Sequence, residues 1–226
     1  MPEVSVVVCA RNEEKDIGEC LKALRAQTLK PEIIVVDGHS ADNTVNISKQ
    51  LADKVVFDNK AGLADARNVG AKAAAGKIVA YCDADCRPLP EWTANIAKLL
   101  EDGIAASGPL VAYDGGLKLR WSFRIWADLV PRFLGKIGFN NLWGANMAFR
   151  RDVLLANPFS VRFIEDYEIG CRLRNIGKVR FSKLMAIPAS TRRFAKSFYW
   201  TCFKYYIVGA IKIKLGRPDS GYYSAS

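Results

Sequence analysis

The sequence has a single histidine, His39, among 226 residues, and no pair of its six cysteines stands in C-x-x-C spacing. A structural zinc site needs clustered thiolate and imidazole ligands, so none is expected. Cys9, Cys20, Cys82, Cys86, Cys171 and Cys202 read as reduced thiols, several of them buried in strands or helices. Repeats, heptads and low-complexity tracts are also lacking. The N-terminal "MPEVSVVVCARNEE" starts acidic with a short apolar run, which is not the pattern of a signal peptide. The longest uncharged apolar pieces near the C-terminus, "SFYWTCF" and "YYIVGAI", are split by Lys204, and neither reaches the ~20 residues a bilayer crossing needs. No G-x-G-x-x-G follows the first apolar run, which disfavours a dinucleotide site. The stretch "GAKAAAGKI" has five residues between its glycines and no Ser or Thr after Lys77, so it is not a P-loop.

Charge is present but unevenly spread. Residues 1–114 hold 13 Lys/Arg against 17 Asp/Glu, a net −4, whereas residues 115–226 hold 20 against 6, a net +14. Such asymmetry points to an anionic partner for the second half, and nucleic acid, anionic lipid and a phosphorylated substrate all fit. A solvated basic surface is the plain alternative. The length suits one sizeable core and is short for two independent domains, so residues 1–226 are expected to form a single domain.

Up to residue 110 the pattern alternates strand and helix. "VSVVVCA", "EIIVVD", "KVVF" and "KIVAYCD" are short apolar, β-branched runs. Between them "EEKDIGECLKALRAQ", "NTVNISKQLA" and "LADARNVGAKAAA" read as helices, the last ending at Gly76 in a C′ position, and "EWTANIAKLLE" follows as another. The expected class is α/β, a mostly parallel central sheet covered by helices. Beyond residue 110, "GGLKLRWSFRIWADLVPRFLG" reads as an aromatic, basic helix up to Pro131 and "NLWGANMAFRR" as a strand. "EDYEIGCRLRNIG" reads as a helix stopped by Gly177, "KVRFSKLMAIP" as one or two strands, and "TRRFAKSFYWTCFKYYIVGAIKIKLG" as a terminal helix.

Ligands of open parallel sheets bind outside the carboxyl ends of the strands. Asp37 ends "EIIVVD", and Asp83 and Asp85 end "KIVAYCDAD". In extended chain, residues two apart point to one face, so Asp83 and Asp85 are expected to converge. Two converging carboxylates need a positive charge between them, and oxygen ligands favour Mg2+ or Mn2+, which completes its shell with water and substrate phosphates. A solvated turn before "RPLP" remains the alternative. Asp166 leads Ile169, Leu173 and Ile176 along one helix face, which turns it inward.

The motifs "VSVVVCARNEE", "EIIVVDGHSADNT", "GLADARNVGAKAAAGKIVAYCDAD", "GANMAFRR" and "EDYEIGCRLRNIG" occur in an order that resembles family-2 glycosyltransferases, over roughly residues 4–180. The resemblance implies a GT-A fold and inverting, metal-dependent transfer from a nucleotide-sugar, with residues 1–110 holding the donor and 111–226 the acceptor. By that similarity Ala10, Arg11, Glu13 and Asp37 line the nucleoside pocket, with Asp37 accepting a hydrogen bond from the base. Arg67 contacts the nucleotide and its phosphates, Asp83 the ribose or metal-bound water, and Asp85 ligates the metal. Asp166 acts as the catalytic base with Glu165 beside it, and Asn146 lies near the donor sugar or acceptor. For Asp37, Arg67, Glu13, Glu165, Asp166 and Asn146, turn, surface or helix-terminus roles stay open, Asp166 as an acid favoured by the helix dipole.

The sequence departs from the family where Gly38 follows Asp37, where Cys86 follows Asp85 in place of a further Asp, and where "NPFSVRFI" precedes "ED". The Q-x-x-R-W signature of processive synthases is absent, so a single sugar is expected per event, from a UDP- or GDP-linked donor to a glycan or lipid-linked acceptor. A helix over 192–215 would gather Arg192, Arg193, Lys196, Lys204 and Lys214 on one arc and aromatics on the other. That pattern fits peripheral contact with anionic lipid, core packing or a homodimer interface. The expected location is cytoplasmic, extending to the inner face of the membrane. The competing readings are a non-catalytic basic module for anionic lipid or nucleic acid, and a sugar nucleotidyltransferase, whose Gly-rich N-terminal loop "CARNEE" does not provide.

Overall fold

The structure, a computed structural model, describes residues 1–136, 142–160 and 165–192. The first half forms β1 (Val4–Ala10), α1 (Ile17–Arg25), β2 (Glu32–Asp37), α2 (Thr44–Leu51), β3 (Lys54–Phe57), α3 (Leu63–Ala73), β4 (Ile78–Cys82) and α4 (Trp92–Leu99). The rest comprises β5 (Ala105–Ser107), β6 (Leu110–Ala112), α5 (Leu117–Arg124), α6 (Val130–Lys136), β7 (Asn146–Arg150), α7 (Arg151–Ala156), α8 (Glu165–Leu173), β8 (Val179–Phe181) and β9 (Ile187–Ala189). Among the described residues these strands make a seven-stranded sheet in the order β3-β2-β1-β4-β7-β5-β8, and a two-stranded sheet of β6 and β9. Only β7 runs antiparallel within the larger sheet.

Alternation along β1 explains the layers. Val4, Val6 and Val8 face α1 and α4, packing with Ile17, Leu21, Leu24, Trp92 and Ile96. Val7 faces the other way, onto Ala66 and Ala71 of α3 and, further along that layer, Ile169 and Leu173 of α8. Successive strand side chains alternate between faces, so a run of valines buries both and requires helices on each side.

Three expectations of local structure are corrected. α3 ends at Ala73, and Gly76 does not cap it. A Cβ on Gly76 would lie 2.7 Å from the Ser5 backbone nitrogen, so its glycine serves a close approach to β1. The second-half helix does not stop before Pro131: α5 continues through a π-helical turn, Ile125–Leu129, into α6. Proline removes the N–H that would bond the carbonyl four residues back, here Ala127. That carbonyl instead accepts the Trp143 indole N–H at 3.2 Å, and the wide turn relieves the ring clash. Thirdly, α8 ends at Leu173, which leaves Ile176 exposed beyond the buried stripe of Ile169 and Leu173. The terminal helix expected over 192–215 falls almost wholly outside the described residues.

Register positions the site. Ala10 pairs with Asp37, and Asp37 with Phe57, so β1, β2 and β3 end level. β7 enters antiparallel with Asn146 opposite Cys82, which brings the preceding residues 143–145 to the carboxyl edge of β4.

Candidate active site

At the end of β2 the chain turns sharply. Asp37 is fully buried, and its two carboxylate oxygens accept from Ser40, one from the backbone N–H at 2.8 Å and one from the hydroxyl at 2.7 Å. The Gly38 N–H donates to the Ala10 carbonyl at 2.8 Å, and the exposed Arg11 side chain lies against Gly38. His39 takes a left-handed conformation (φ 62°) that turns its ring toward the Asp58 carbonyl, 3.1 Å away.

Asp83 and Asp85 do not lie in extended chain. β4 ends at Cys82, and residues 83–86 form a turn closed by the Cys86 N–H to the Asp83 carbonyl at 3.1 Å. The two-apart strand argument therefore does not apply to this pair, because the ladder stops one residue before it. The segment after β9 braces the turn. Arg87 N–H donates to Pro188 O at 2.8 Å, Ser190 N–H to the Asp85 carbonyl at 3.3 Å, and Asp114 accepts from the hydroxyls of Ser190 and Thr191. This brace carries Arg192 into the acids. Its guanidinium pairs with Asp85 at 3.2 Å, with Asp16 at 3.0 Å and with Glu13. Arg87 adds a second contact to Asp16 at 3.0 Å. Burial opposes the charge on Arg192, but the bond to Glu13 and the fields of Asp85 and Asp16 prevail and raise its pKa.

The second acid group lies deeper. Arg67, on α3, is 3% exposed and forms a buried ion pair with Glu165. The Tyr81 hydroxyl donates to the Arg67 carbonyl at 2.9 Å, and the Phe159 ring lies 5.7 Å from the guanidinium. Burial opposes the charge on Arg67, yet Glu165, Asp166 and Asp83 outweigh it and raise its pKa, so the D-x-D turn and the α8 acids share one field. Burial pushes Glu165 up to about 7, with Asp166 adding to the rise and Arg67 opposing it. Asp166 is nearly buried, and its Oδ2 accepts the Gly144 N–H at 2.8 Å. A Cβ on Gly144 would lie 3.0 Å from that same oxygen and collide with the Arg67 guanidinium, so this approach requires glycine.

The expected site residues thus divide. Ala10, Arg11, Glu13, Asp83, Asp85, Asp166, Glu165 and Arg67 gather at the carboxyl edge of β1 and β4 and along the start of α8. Asn146 differs from its expected role: it is fully buried, accepts from the Trp92 indole at 3.0 Å and donates to the carbonyls of Gly108 and Met185 at 3.0 and 2.6 Å. A buried amide must satisfy its groups, and those partners are all within the fold. Asp37 differs likewise, since Ser40 takes its carboxylate and it has no exposed surface toward a base. Arg67, though it gathers with the others, faces Glu165 inside the protein, and its charge is matched there. Sequence reading missed Arg192 as a site residue, counting it only with the basic arc of the terminal helix. Its partners are 107 to 179 residues away, a pairing that no local pattern carries.

The described fold is α/β with a mostly parallel sheet and acids at its carboxyl edge. The family model "Glycosyl transferase family 2" matches residues 5–156. More than half of the chain is covered, and the protein belongs to family 2 of the glycosyltransferases. It is 35% identical over 126 residues to glycosyltransferase AglE of Haloferax volcanii, covering 51% of this chain and 39% of that protein. It is 28% identical over 173 residues to the glucosyl-dolichyl phosphate glucuronosyltransferase of the same organism, covering 68% and 54%. The chain therefore spans only part of the length of these relatives. Its fold is similar to that of the mannosyltransferase PcManGT from Pyrobaculum calidifontis, crystallised with GDP-Man and Mn2+. The TM-score is 0.72 at 20% identity, over 97% of this chain and 66% of that one. A glucosyl-3-phosphoglycerate synthase from Mycobacterium tuberculosis, crystallised with Mn2+, UDP and phosphoglyceric acid, gives a TM-score of 0.66 at 19% identity, over 96% and 80%. The architecture is the GT-A type.

Proposed function

We propose that the protein transfers a single sugar, with inversion, from a UDP- or GDP-linked donor to a hydroxyl of a glycan or lipid-linked acceptor. The observation that carries this reading is the Gly144 N–H bond to Asp166 beside the D-x-D turn, in a field shared through Arg67 with Asp83. Residues 1–110 form the donor side and residues 111–226 the acceptor side of one domain.

The donor set fits a hard divalent cation. Asp83 and Asp85 offer oxygen alone, and no cluster of three or more His, Cys, Asp or Glu able to hold a metal occurs among the described residues. Mg2+ and Mn2+ accept such a sparse protein set, because water and phosphate oxygens supply the remainder. When bound, the cation supplies positive charge for the departing diphosphate. Asp85 with Asp83 would hold it, at the position where Arg192 now provides the positive charge.

Asp166 takes the proton from the acceptor hydroxyl as the hydroxyl attacks the anomeric carbon from the face opposite the diphosphate. The Gly144 N–H fixes the carboxylate by holding Oδ2. Glu165 and Arg67 neutralise each other behind it and keep the start of α8 in position. Arg11, Glu13 and Ala10 border the nucleoside side, and the Asp37–Ser40 turn shapes that edge. On this reading the protein acts in the cytoplasm or at the cytoplasmic side of a membrane. No helix among the described residues is long and apolar enough to cross a bilayer.

The test is a panel of nucleotide-sugars with Mn2+ or Mg2+, scored by nucleotide release and thermal shift. One nucleotide should stabilise the protein only with metal, and Asp85→Ala should abolish that stabilisation. The alternative, a non-catalytic basic module, requires Asp85→Ala and Asp166→Ala to leave all ligand binding intact.

A further inference from the structure

The helix over residues 117–136 has two apolar faces where a solvated helix has one. Phe123 and Ala127 are buried against the core. On the opposite side Leu117, Trp121, Ile125, Leu129 and Phe133 are 77%, 61%, 46%, 56% and 62% exposed. These five stand four residues apart throughout. In a regular α-helix such a row drifts by about 40° per step, which would carry Phe133 far round the helix from Leu117. The π-helical turn, Ile125–Leu129, lies in the middle of the row, and its larger number of residues per turn winds back part of that drift. Five large apolar side chains thereby form one outward ridge, extended by the exposed Val111 and Tyr113 at β6. A contiguous exposed apolar surface of this kind marks an interaction site.

Charge selects the partner. Lys118, Arg120, Arg124 and Lys136 are exposed on the same helix. Its one acid, Asp128, is buried and paired with Arg132. A second copy docking ridge to ridge would set these four cations against their own counterparts, which costs association energy. An anionic bilayer meets both properties: its acyl boundary takes the ridge and its headgroups take the cations. Arg124 already lies over the Trp121 ring at 5.6 Å, the pairing of an interfacial indole with a cation at its polar edge.

We propose that residues 117–136 are a docking surface for an anionic lipid bilayer. The helix lies in the interface plane, with Trp121, Ile125, Leu129 and Phe133 in the acyl boundary and Lys118, Arg120, Arg124 and Lys136 at the headgroups. This surface goes beyond the transfer reaction and does not depend on it. It also orients the molecule: the Trp143 indole bonds Ala127 of this helix, and the next residue, Gly144, holds Asp166. A bilayer on the ridge therefore lies beside the element that holds the candidate base.

The test is co-sedimentation of the full chain with vesicles of phosphatidylcholine alone, or of phosphatidylcholine and phosphatidylglycerol in a two-to-one ratio. The wild type should bind the anionic vesicles at least about tenfold more tightly than the neutral ones. The Trp121→Ser/Leu129→Ser/Phe133→Ser variant should lose binding by about tenfold or more, with its thermal melt unchanged because these side chains are exposed. Arg120→Gln/Arg124→Gln should lose the anionic preference and keep residual binding. Trp121→Phe should bind as the wild type does and lose part of the vesicle-induced blue shift in tryptophan emission. The proposal is overturned if the serine variant binds vesicles like the wild type, which would put the contact elsewhere, residues 193–226 included. It is also overturned if the wild type ignores vesicles, or if the serine changes alter only the oligomeric state.

Discussion

Two arginines serve the acids of this protein in opposite ways. Arg67 is sealed in the interior with Glu165, both side chains under 5% exposed. Arg192 is 40% exposed and reaches three carboxylates from the surface of the braced segment. A buried pair contributes little net stability, but removing one partner leaves an uncompensated charge. An exposed pair is screened by solvent and is readily exchanged for another cation. The interior arginine thus holds the start of α8 in place, while the surface arginine pairs with Asp85, the acid proposed above to hold the cation.

The largest effect concerns Asp166, which lies beside the interior arginine. Asp166→Asn should lower sugar transfer by about 10²–10⁴-fold, the usual worth of a general base, with little change in the melting curve. An Asp166→Asn enzyme with near wild-type turnover would move the base to another residue. Next in size, Arg67→Ala should destabilise the fold by about 3–5 kcal/mol in urea unfolding, because Glu165 is left buried and unpaired. Arg67→Ala/Glu165→Gln should recover much of that loss. If both variants unfold at the same midpoint, the pair is not the reason for the cost.

A pH series sharpens the contrast. Burial raises Glu165 from 4.5 to about 7, so between those pH values the native state keeps a proton there that the unfolded chain has released, and the ion pair with Arg67 is complete only above them. Its contribution to stability is complete below pH 4.5 and is lost as pH rises through about 7. Relative to wild type, Glu165→Gln should therefore show a flatter stability profile across that window, measured by urea midpoints. The smallest effect belongs to Arg192→Ala. Its loss should cost about 1 kcal/mol, since the guanidinium is 40% exposed and screened by solvent although Asp85 and Glu13 lie deeper. Mn2+ affinity without nucleotide, followed by titration calorimetry, should nonetheless rise as the competing charge leaves Asp85. Unchanged or weaker affinity would mean that Arg192 and the cation do not compete.

Legibility followed the length of each element. β1, β2, β3 and β4, with α1, α2 and α3, could be read because their apolar runs and helical spacing persist for several residues. β5 "AAS", β6 "LVA" and the six-residue α7 have no legible signal, since three residues carry no period and "RRDVLLA" continues a strand pattern without a turn signal. Pro131 reads as a stop because proline forfeits a helical bond. The acceptor it freed found Trp143, 16 residues on, which local sequence does not reveal. Within the site, the motif order marked Asp83, Asp85 and Asp166. It could not tell that Asp37 and Asn146 face inward, because an acid or amide at a strand end is equally suited to a ligand or to a buried turn.

By itself the sequence determined the α/β class, the parallel direction of the first strands and the edge at which the acids collect. Those features follow from periodicity and from the direction in which strands must end, both local properties of the chain. Only the tertiary structure decided which cation meets which acid, that the D-x-D pair occupies a turn, and that an apolar ridge faces outward on a helix already buried on its other side. Each of these depends on burial and on contacts between residues far apart in the chain, and those exist only once the layers have packed.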